Sequence, residues 1–569
     1  MRKAPVSCIM IGQIRLKSED VHLKPFRLTL LAALLVLLSL LSLSASGEEA
    51  ASVTLTLGPD TPVSGNAPYV KDGRTYTRDL TIPRINGMDA VKVSQTGSAV
   101  TWVCPVSAGG GQVQVDFPYG GVWTTLRVNG EPLSPGAPVT VRMGEDITVQ
   151  LASQNRRCVL HLQLSTLPLI SIDYTGSDLY ANQRPGTMTI YDPDYLAHGQ
   201  SQPLSTVNIT IGYRGQSSLN YDKHNYTVHL WADEARTQQY KTSLLGLRKD
   251  DDWILCGAMN DQLRLRNTVA MQLWDEFYRL PWADVSGAID GVFCEVYLRG
   301  RYVGLYRLTE RLDRKQAALD KANGQIVRSV QSEAGGMNLM DFTALGKKQP
   351  GNSEIWYNME LKYPKPEDMT AADWDLFYAF LKFVAQSDDK TFAQHIGEYI
   401  DIDNFAAYYV YVTAIGATGN MIKNLYFVMN DKEADPRWRL VPWDVDGSFG
   451  RRNDATKREV DIISSNHLFE RLVRTDAGGF CALCREKWQQ SKDTVFAYDH
   501  IMDLFRQYYD QLDASGLWAR ETAAWPKFKT FTFNVENELK YVYDYMKQRL
   551  AFAESFFTGE SLSAGKWLK

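Results

Sequence analysis

The hydrophobic period of this chain changes along its length, and that change dictates a multidomain architecture. From residue 50 to about 165, short segments alternate polar and apolar residues, as in Gln112-Val-Gln-Val-Asp-Phe117 and Val139-Thr-Val-Arg142. Turns rich in Gly, Pro and Asn, such as Asn129-Gly130 and Pro135-Gly136, separate them. This is the pattern of consecutive half-buried strands. No stretch of helical period interrupts it, so residues 48–166 are predicted to form a small all-β sandwich of Ig-like type. No catalytic constellation falls within it, and its expected role is adhesive or positional, toward a cell-wall or surface ligand.

From Leu167 the texture changes. Strands are predicted around Leu169–Tyr174, Thr187–Tyr191 and Val207–Tyr213, then a helix from about Gln262 to Leu280 with Val269, Leu273, Trp274 and Phe277 on one face. Val292–Leu298 alternates, turns at Arg299-Gly300-Arg301 and returns as Tyr302–Leu308, a hairpin. Thr370-x-x-Asp373 reads as an approximate capping box opening a helix that turns Trp374, Phe377, Tyr378 and Leu381 inward. Another helix runs from Ile402 to about Ile415 and stops at Gly416. A second hairpin, Leu425–Met429 with Trp438–Val441, precedes a helical pattern that runs from Ser464 almost to the end. A β-rich half thus leads into a helical half, an α+β unit over residues 167–560.

The N-terminus has its own logic. Leu28–Leu43 is a largely apolar run preceded by Lys24 and Arg27 and followed by Ser44, Ala45, Ser46 and Gly47. That order of charged, apolar and small residues marks residues 1–47 as an export signal or signal anchor. The run is slightly short for a spanning helix, which favours cleavage near Ala45 or Ser46 over anchoring through residues 28–43. The expected location is extracellular or at the cell surface. The net charge of −5 argues against non-specific nucleic-acid binding, which needs a basic surface.

Of the seven cysteines, Cys104 and Cys158 fall in the β-rich region and are candidates to pair after export. Cys481 and Cys484 form a C-x-x-C within a predicted helix. Without a second pair or nearby histidines they read as packing residues or a local disulfide rather than a metal site. His224 and His229 lie at odd spacing on an apparent strand and face opposite sides.

The sharpest local feature is Trp443-Asp444-Val445-Asp446-Gly447-Ser448-Phe449-Gly450. Two carboxylates two residues apart follow a strand and enter a Gly-flanked turn, a fixed mounting for a hard divalent cation. Lys423-Asn424 lies just before the preceding hairpin, so an asparagine opens the hairpin and an aspartate closes it, the order protein kinases use for metal ligands. A turn in which Asp446 merely caps the next segment is the competing reading. Small residues and a cation also meet at the strand boundary Tyr213-Arg214-Gly215-Gln216-Ser217-Ser218, ahead of Lys223, where phosphate can approach or where a surface turn can simply reverse the chain. Arg264, Arg266 and Asn267 at a helix start, and Glu310 at a strand end, are bland one by one.

Their order is not. Arg214-Gly-Gln-Ser-Ser218, Lys223-x-x-Tyr226, Asp252-Trp-Ile-Leu255 through Asn260-Asp261 and Arg266-Asn267, Glu295–Glu310, Leu361-Lys-Tyr-Pro364 and Trp443–Gly450 follow one another as in the CotH family of atypical kinases. The resemblance covers about residues 167 to 555. It implies a divergent protein-kinase-like fold that binds ATP with Mg²⁺ or Mn²⁺ and phosphorylates serines of coat or surface proteins. Lys223 would then contact the nucleotide phosphates, with Glu310 orienting it. Asn424 and Asp444 would hold metal, with Asp446 supporting or sharing it, and Arg214 and Arg266 would serve phosphate or the fold. One departure stands out: where the family usually has an aspartate before the metal-binding asparagine, this chain has Gly419 with Asn420 beside it. Loss of a general base costs roughly 10²–10⁴-fold in rate. A pseudokinase acting as a surface-binding scaffold is therefore the alternative to an active phosphotransferase, and transfer of AMP or another group stays open.

Overall fold

The computed structural model describes strand segments within residues 52–117, most of residues 125–180, and then residues 183–330, 351–356, 358–463, 465–529, 531–559 and 562. Ser52–Lys569 form one compact unit. The predicted export segment lies outside the described residues. Among the described residues no helix is long and apolar enough to cross a membrane.

Among the described residues of 52–165 the regular elements are all strands, as their period demands. A five-stranded sheet has Ser52–Pro59 paired parallel to Gly111–Phe117 and antiparallel to Pro138–Arg142, and a six-stranded sheet includes Ala99–Pro105, Asp146–Ala152 and Arg157–Ser165. Alternate residues Ile147, Val149, Leu160, Leu162 and Leu164 are buried. The side chains of Cys104 and Cys158, the expected pair, lie outside the described residues.

After residue 165 the chain forms a closed seven-stranded barrel. Its strands, numbered from here, are β1 (Leu169–Tyr174), β2 (Arg184–Tyr191), β3 (Leu204–Arg214), β4 (Asn225–Trp231), β5 (Asp252–Cys256), β6 (Gly291–Leu298) and β7 (Arg301–Thr309), in the order β1-β2-β3-β4-β5-β7-β6. Parallel pairing of Leu169–Ile172 with Glu295–Leu298 closes the ring and removes its free edges. Ile170, Ile172, Met188, Ile190, Ile209, Ile211, Val228, Leu230, Trp253 and Leu255 fill its interior, one face of each alternating strand. Between β5 and β6 comes helix α1 (Arg266–Phe277), with Val269, Leu273 and Trp274 buried as its period requires.

Beyond the barrel lies a second sheet, β8 (Gln325–Ser329), β9 (Ile355–Trp356), β10 (Met359–Tyr363), β11 (Tyr426–Met429) and β12 (Arg439–Val441), ordered β9-β10-β8-β11-β12. Helix α2 (Asp375–Gln386) is entered through the expected box, Thr370 N–H donating to Asp373 Oδ2 at 2.8 Å, although its first turn is a 3₁₀ turn. Helix α3 spans Asp389–His395. Helix α4 (Ile402–Ile415) is capped by Asp401 and ended by Gly416 at φ 68°, a left-handed stop that suits glycine. All its residues from Asn404 to Ile415 are buried, so it is the spine of this region. Helices α5 (His467–Thr475), α6 (Phe480–Ser491), α7 (Tyr498–Ala514), α8 (Leu517–Ala524) and α9 (Val535–Thr558) pack around it or reach back to the barrel. Cys481 and Cys484 are free and buried on α6, where burial pushes both thiols up; they are packing residues.

Arg549 of α9 fixes the end of the spine. Wholly buried, it donates to Thr413 O at 2.8 Å, Val460 O at 2.6 Å and Ile462 O at 2.8 Å. Arg549→Met keeps the bulk but takes the guanidinium donors from Val460 O and Ile462 O, while Thr413 O keeps the Gly416 N–H at 3.3 Å; each such loss costs about 1–3 kcal/mol. Urea denaturation is expected to show a destabilisation of about 2 kcal/mol or more.

Candidate active site

A cleft of about 340 Å³ runs between the barrel and the second sheet. The barrel side contributes the ends of β3, β4 and β5, and the opposite wall is the end of β8 with the turns that flank the β11–β12 hairpin. The Asn424 and Asp444 pair meets here as the hairpin geometry predicts. Asn424 Nδ2 donates to Asp444 Oδ2 at 3.1 Å and to the Asp444 carbonyl at 3.2 Å. Both residues have left-handed backbone, φ 62° and 53°, and such strain gathers at functional sites. Asp444 is exposed to the cleft, while Asp446 behind it is half-buried. Burial, reinforced by Asp444, holds the Asp446 carboxyl well above the usual range.

Two carboxylates and an amide oxygen make an all-oxygen donor set, the kind a hard divalent cation takes while keeping water or phosphate in its remaining positions. A cation between Asp444 and Asp446 would relieve their mutual repulsion, so the residues fit such an ion. Among the described residues no group of three or more His, Cys, Asp or Glu side chains is placed to hold a metal, so the amide of Asn424 is needed to complete this set.

The connection between β5 and α1 grips the Asp-x-Asp turn from behind. Asn260 Nδ2 donates to Asp446 Oδ2 at 2.6 Å and to Asn453 O at 3.0 Å, and the Val445 N–H donates to Asn267 Oδ1 at 2.8 Å. Arg266 reaches Ser448 O at 3.2 Å and pairs with Asp261 and with Glu538 of α9, each at 2.5 Å. It is fully buried and does not line the cleft. Its contacts are with Asp261, Glu538 and the turn backbone, within the fold. The Asn260-Asp261…Arg266-Asn267 spacing was legible in the sequence, but not that Asn260, Arg266 and Asn267 each bond the turn while Asp261 holds Arg266.

Arg214 does line the cleft, its guanidinium 5.8 Å from the Trp443 ring centroid. Among the described residues no carboxylate forms an ion pair with it, whereas Arg264 pairs with Glu521, Arg311 with Asp252 and Arg328 with Glu360. Lys423, which the sequence reading left without a role, is the other cleft cation with no ion pair among the described residues. Tyr221 lines the cleft as well; burial and the nearby Asp446 push its phenol up to about 12.

Lys223 and Glu310 do not come together. Lys223 is not among the cleft-lining residues; its ammonium is buried, donating to Leu305 O and to Glu521 of α8, both at 2.6 Å. Burial pushes it down to about 7 against the pull of Glu521. Burial would raise the Glu521 carboxyl, but Lys223 and Arg264 outweigh that and hold it below the usual range. Glu310 instead accepts the Arg248 N–H at 3.1 Å, with Arg248 Nε at 3.5 Å. The expected Lys223–Glu310 pair does not form, and Lys223 pairs instead with a glutamate from the far end of the chain. Gly419 and Asn420 lie in the turn Thr418–Met421. Asn420 donates to Trp443 O at 2.8 Å, and its own carbonyl accepts the Tyr408 hydroxyl at 2.9 Å.

A closed barrel and a helix-wrapped sheet meeting at an oxygen- and cation-lined cleft define an α+β protein with a kinase-type order of Asn, hairpin and Asp. A family model described as CotH kinase protein matches residues 211–553, from the end of β3 through most of α9. The chain belongs to the CotH family, a kinase-related family whose chemistry is in general ATP-dependent phosphotransfer. No curated protein matches the chain.

Glu521→Gln tests the buried pair. Removing one partner of such a pair typically costs about 3–5 kcal/mol. Without Glu521 the folded-state value of Lys223 falls further below about 7. The variant's folded state therefore excludes a proton that wild type binds below that value. The loss relative to wild type, read by urea denaturation, is expected to be larger at pH 6 than at pH 9, with a residue at both from stranded Arg264.

Proposed function

We propose that this chain is an exported phosphotransferase that moves phosphate from ATP, with Mg²⁺ or Mn²⁺, to serine side chains of surface or coat proteins. One observation carries the reading: Asn424, Asp444 and Asp446 converge on a single cleft with Arg214, a cation that no carboxylate engages among the described residues. Asn424, Asp444 and Asp446 hold the divalent ion, which when bound neutralises phosphate charge. Arg214, stacked on Trp443, and Lys423, beside Asn424, supply fixed positive charge to the phosphates. Phosphoryl transfer depends mainly on such positioning and electrostatics, so a short list of groups suffices. Residues 1–47 direct export, and residues 48–166 act as a separate β domain that engages a wall or surface ligand, with 167–560 as the kinase-like part.

A second reading is favoured by Asn420. Its side chain is committed to Trp443 O, and no carboxylate stands at 419 or 420, so the loop offers no proton acceptor. In this reading the cleft binds nucleotide without turnover and the chain is a surface scaffold.

The two readings part on label transfer from γ- and α-labelled ATP to serine-rich acceptors, with Mn²⁺ or Mg²⁺. Transfer of γ-label that falls at least about 10²-fold in Asp444→Ala supports the phosphotransferase. Transfer of α-label instead replaces it with AMP transfer. Neither label moving, with a nucleotide-dependent rise in Tm that Asp444→Ala abolishes, selects the scaffold. Arg214→Met is expected to weaken nucleotide binding at least about 10-fold, the worth of one charge-assisted hydrogen bond, measured by calorimetric titration.

A further inference from the structure

Asn260 and Asn267 line the cleft yet are not ligands in the reading above, and together they fix the geometry of the turn that carries both carboxylates. The turn does not hold itself. Asp444 has φ 53°, a left-handed conformation that a non-glycine residue keeps only when its surroundings hold it there, and a half-buried carboxylate next to another is repelled from it. Asn260 opposes that repulsion directly, with its amide nitrogen 2.6 Å from Asp446 Oδ2. The same nitrogen is anchored to the Asn453 carbonyl at 3.0 Å, so the amide cannot swing with the carboxylate. Asn267 acts on the backbone: its Oδ1 accepts the N–H of Val445, the residue between the two aspartates, at 2.8 Å. Asn267 is the second residue of α1, and Arg266 beside it is locked by Asp261 and Glu538, so the acceptor sits on a rigid base.

We propose that Asn260 and Asn267 are the positioning residues of the divalent-cation site, Asn260 by orienting the Asp446 carboxylate and Asn267 by fixing the peptide between Asp444 and Asp446. This rests on Asn424, Asp444 and Asp446 being the oxygen ligands. Partners that orient metal ligands are typically worth 10–100-fold in metal affinity.

The test is a Mn²⁺ titration of the full chain, free ion being counted by electron paramagnetic resonance, beside thermal unfolding in chelator. Asn260→Leu keeps the shape and removes the donor; it is expected to weaken Mn²⁺ roughly 10–100-fold while unfolding cooperatively well above the titration temperature. Asn267→Leu is expected to do the same, and Asn267→Asp, which retains an acceptor for the Val445 N–H, to bind within a few-fold of wild type. Asp446→Ala is the control. Should either Leu variant fail to fold, the other, with Asn267→Asp for the second site, still decides. Wild-type Mn²⁺ affinity in a folded Leu variant, with Asp446→Ala impaired, overturns the positioning role and leaves the ligands standing. Asp446→Ala binding as wild type does overturns the ligand assignment and the positioning role with it.

Discussion

The guanidinium of Arg266 is the point on which the cleft depends. In one buried position it meets Asp261 just before α1, Glu538 of the last helix and the Ser448 carbonyl of the Asp-x-Asp turn. Glu538 is shared with Arg451, whose Nε lies 2.7 Å away. The desolvation of these charges is severe, and only mutual pairing with every donor satisfied makes it tolerable. The consequence is geometric: the start of α1, the Asp-x-Asp turn and α9 hold a fixed relation, and Asn260 and Asn267 sit where they reach Asp446 and the Val445 N–H.

What was legible in the sequence is what local rules decide. The box at Thr370 and Asp373, the stop of α4 at Gly416, the buried face Val269–Leu273–Trp274 and both hairpins follow from spacing, caps and alternation. The meeting of Asn424 with Asp444 was legible for the same reason, since a hairpin joins them. The closure of β1 onto β6 was not, because parallel pairing across an intervening half-barrel leaves no periodic mark on either strand.

Lys223 shows the other limit. As a lysine opening a strand after a small-residue turn, it invites a phosphate role, and the family resemblance implied Glu310 as the group that orients it. The structure gives it to Glu521, 298 residues away, and buries both. Arg214 and Arg266 looked equivalent as sequence, yet one faces the cleft and the other holds the core. Burial and partnership separate them, and neither is a property of the residue's own segment.

The pairing of Lys223 and Arg264 with Glu521 also orders events in time. Chains emerge from the ribosome with their N-terminal part first, and early regions fold as units where they can. All seven barrel strands are synthesised well before Glu521, and until then two cations destined for the interior have no counter-charge. The barrel therefore reaches its final packing only after α8 has been made and docked, so a nascent or truncated chain ending before it carries an incompletely consolidated barrel.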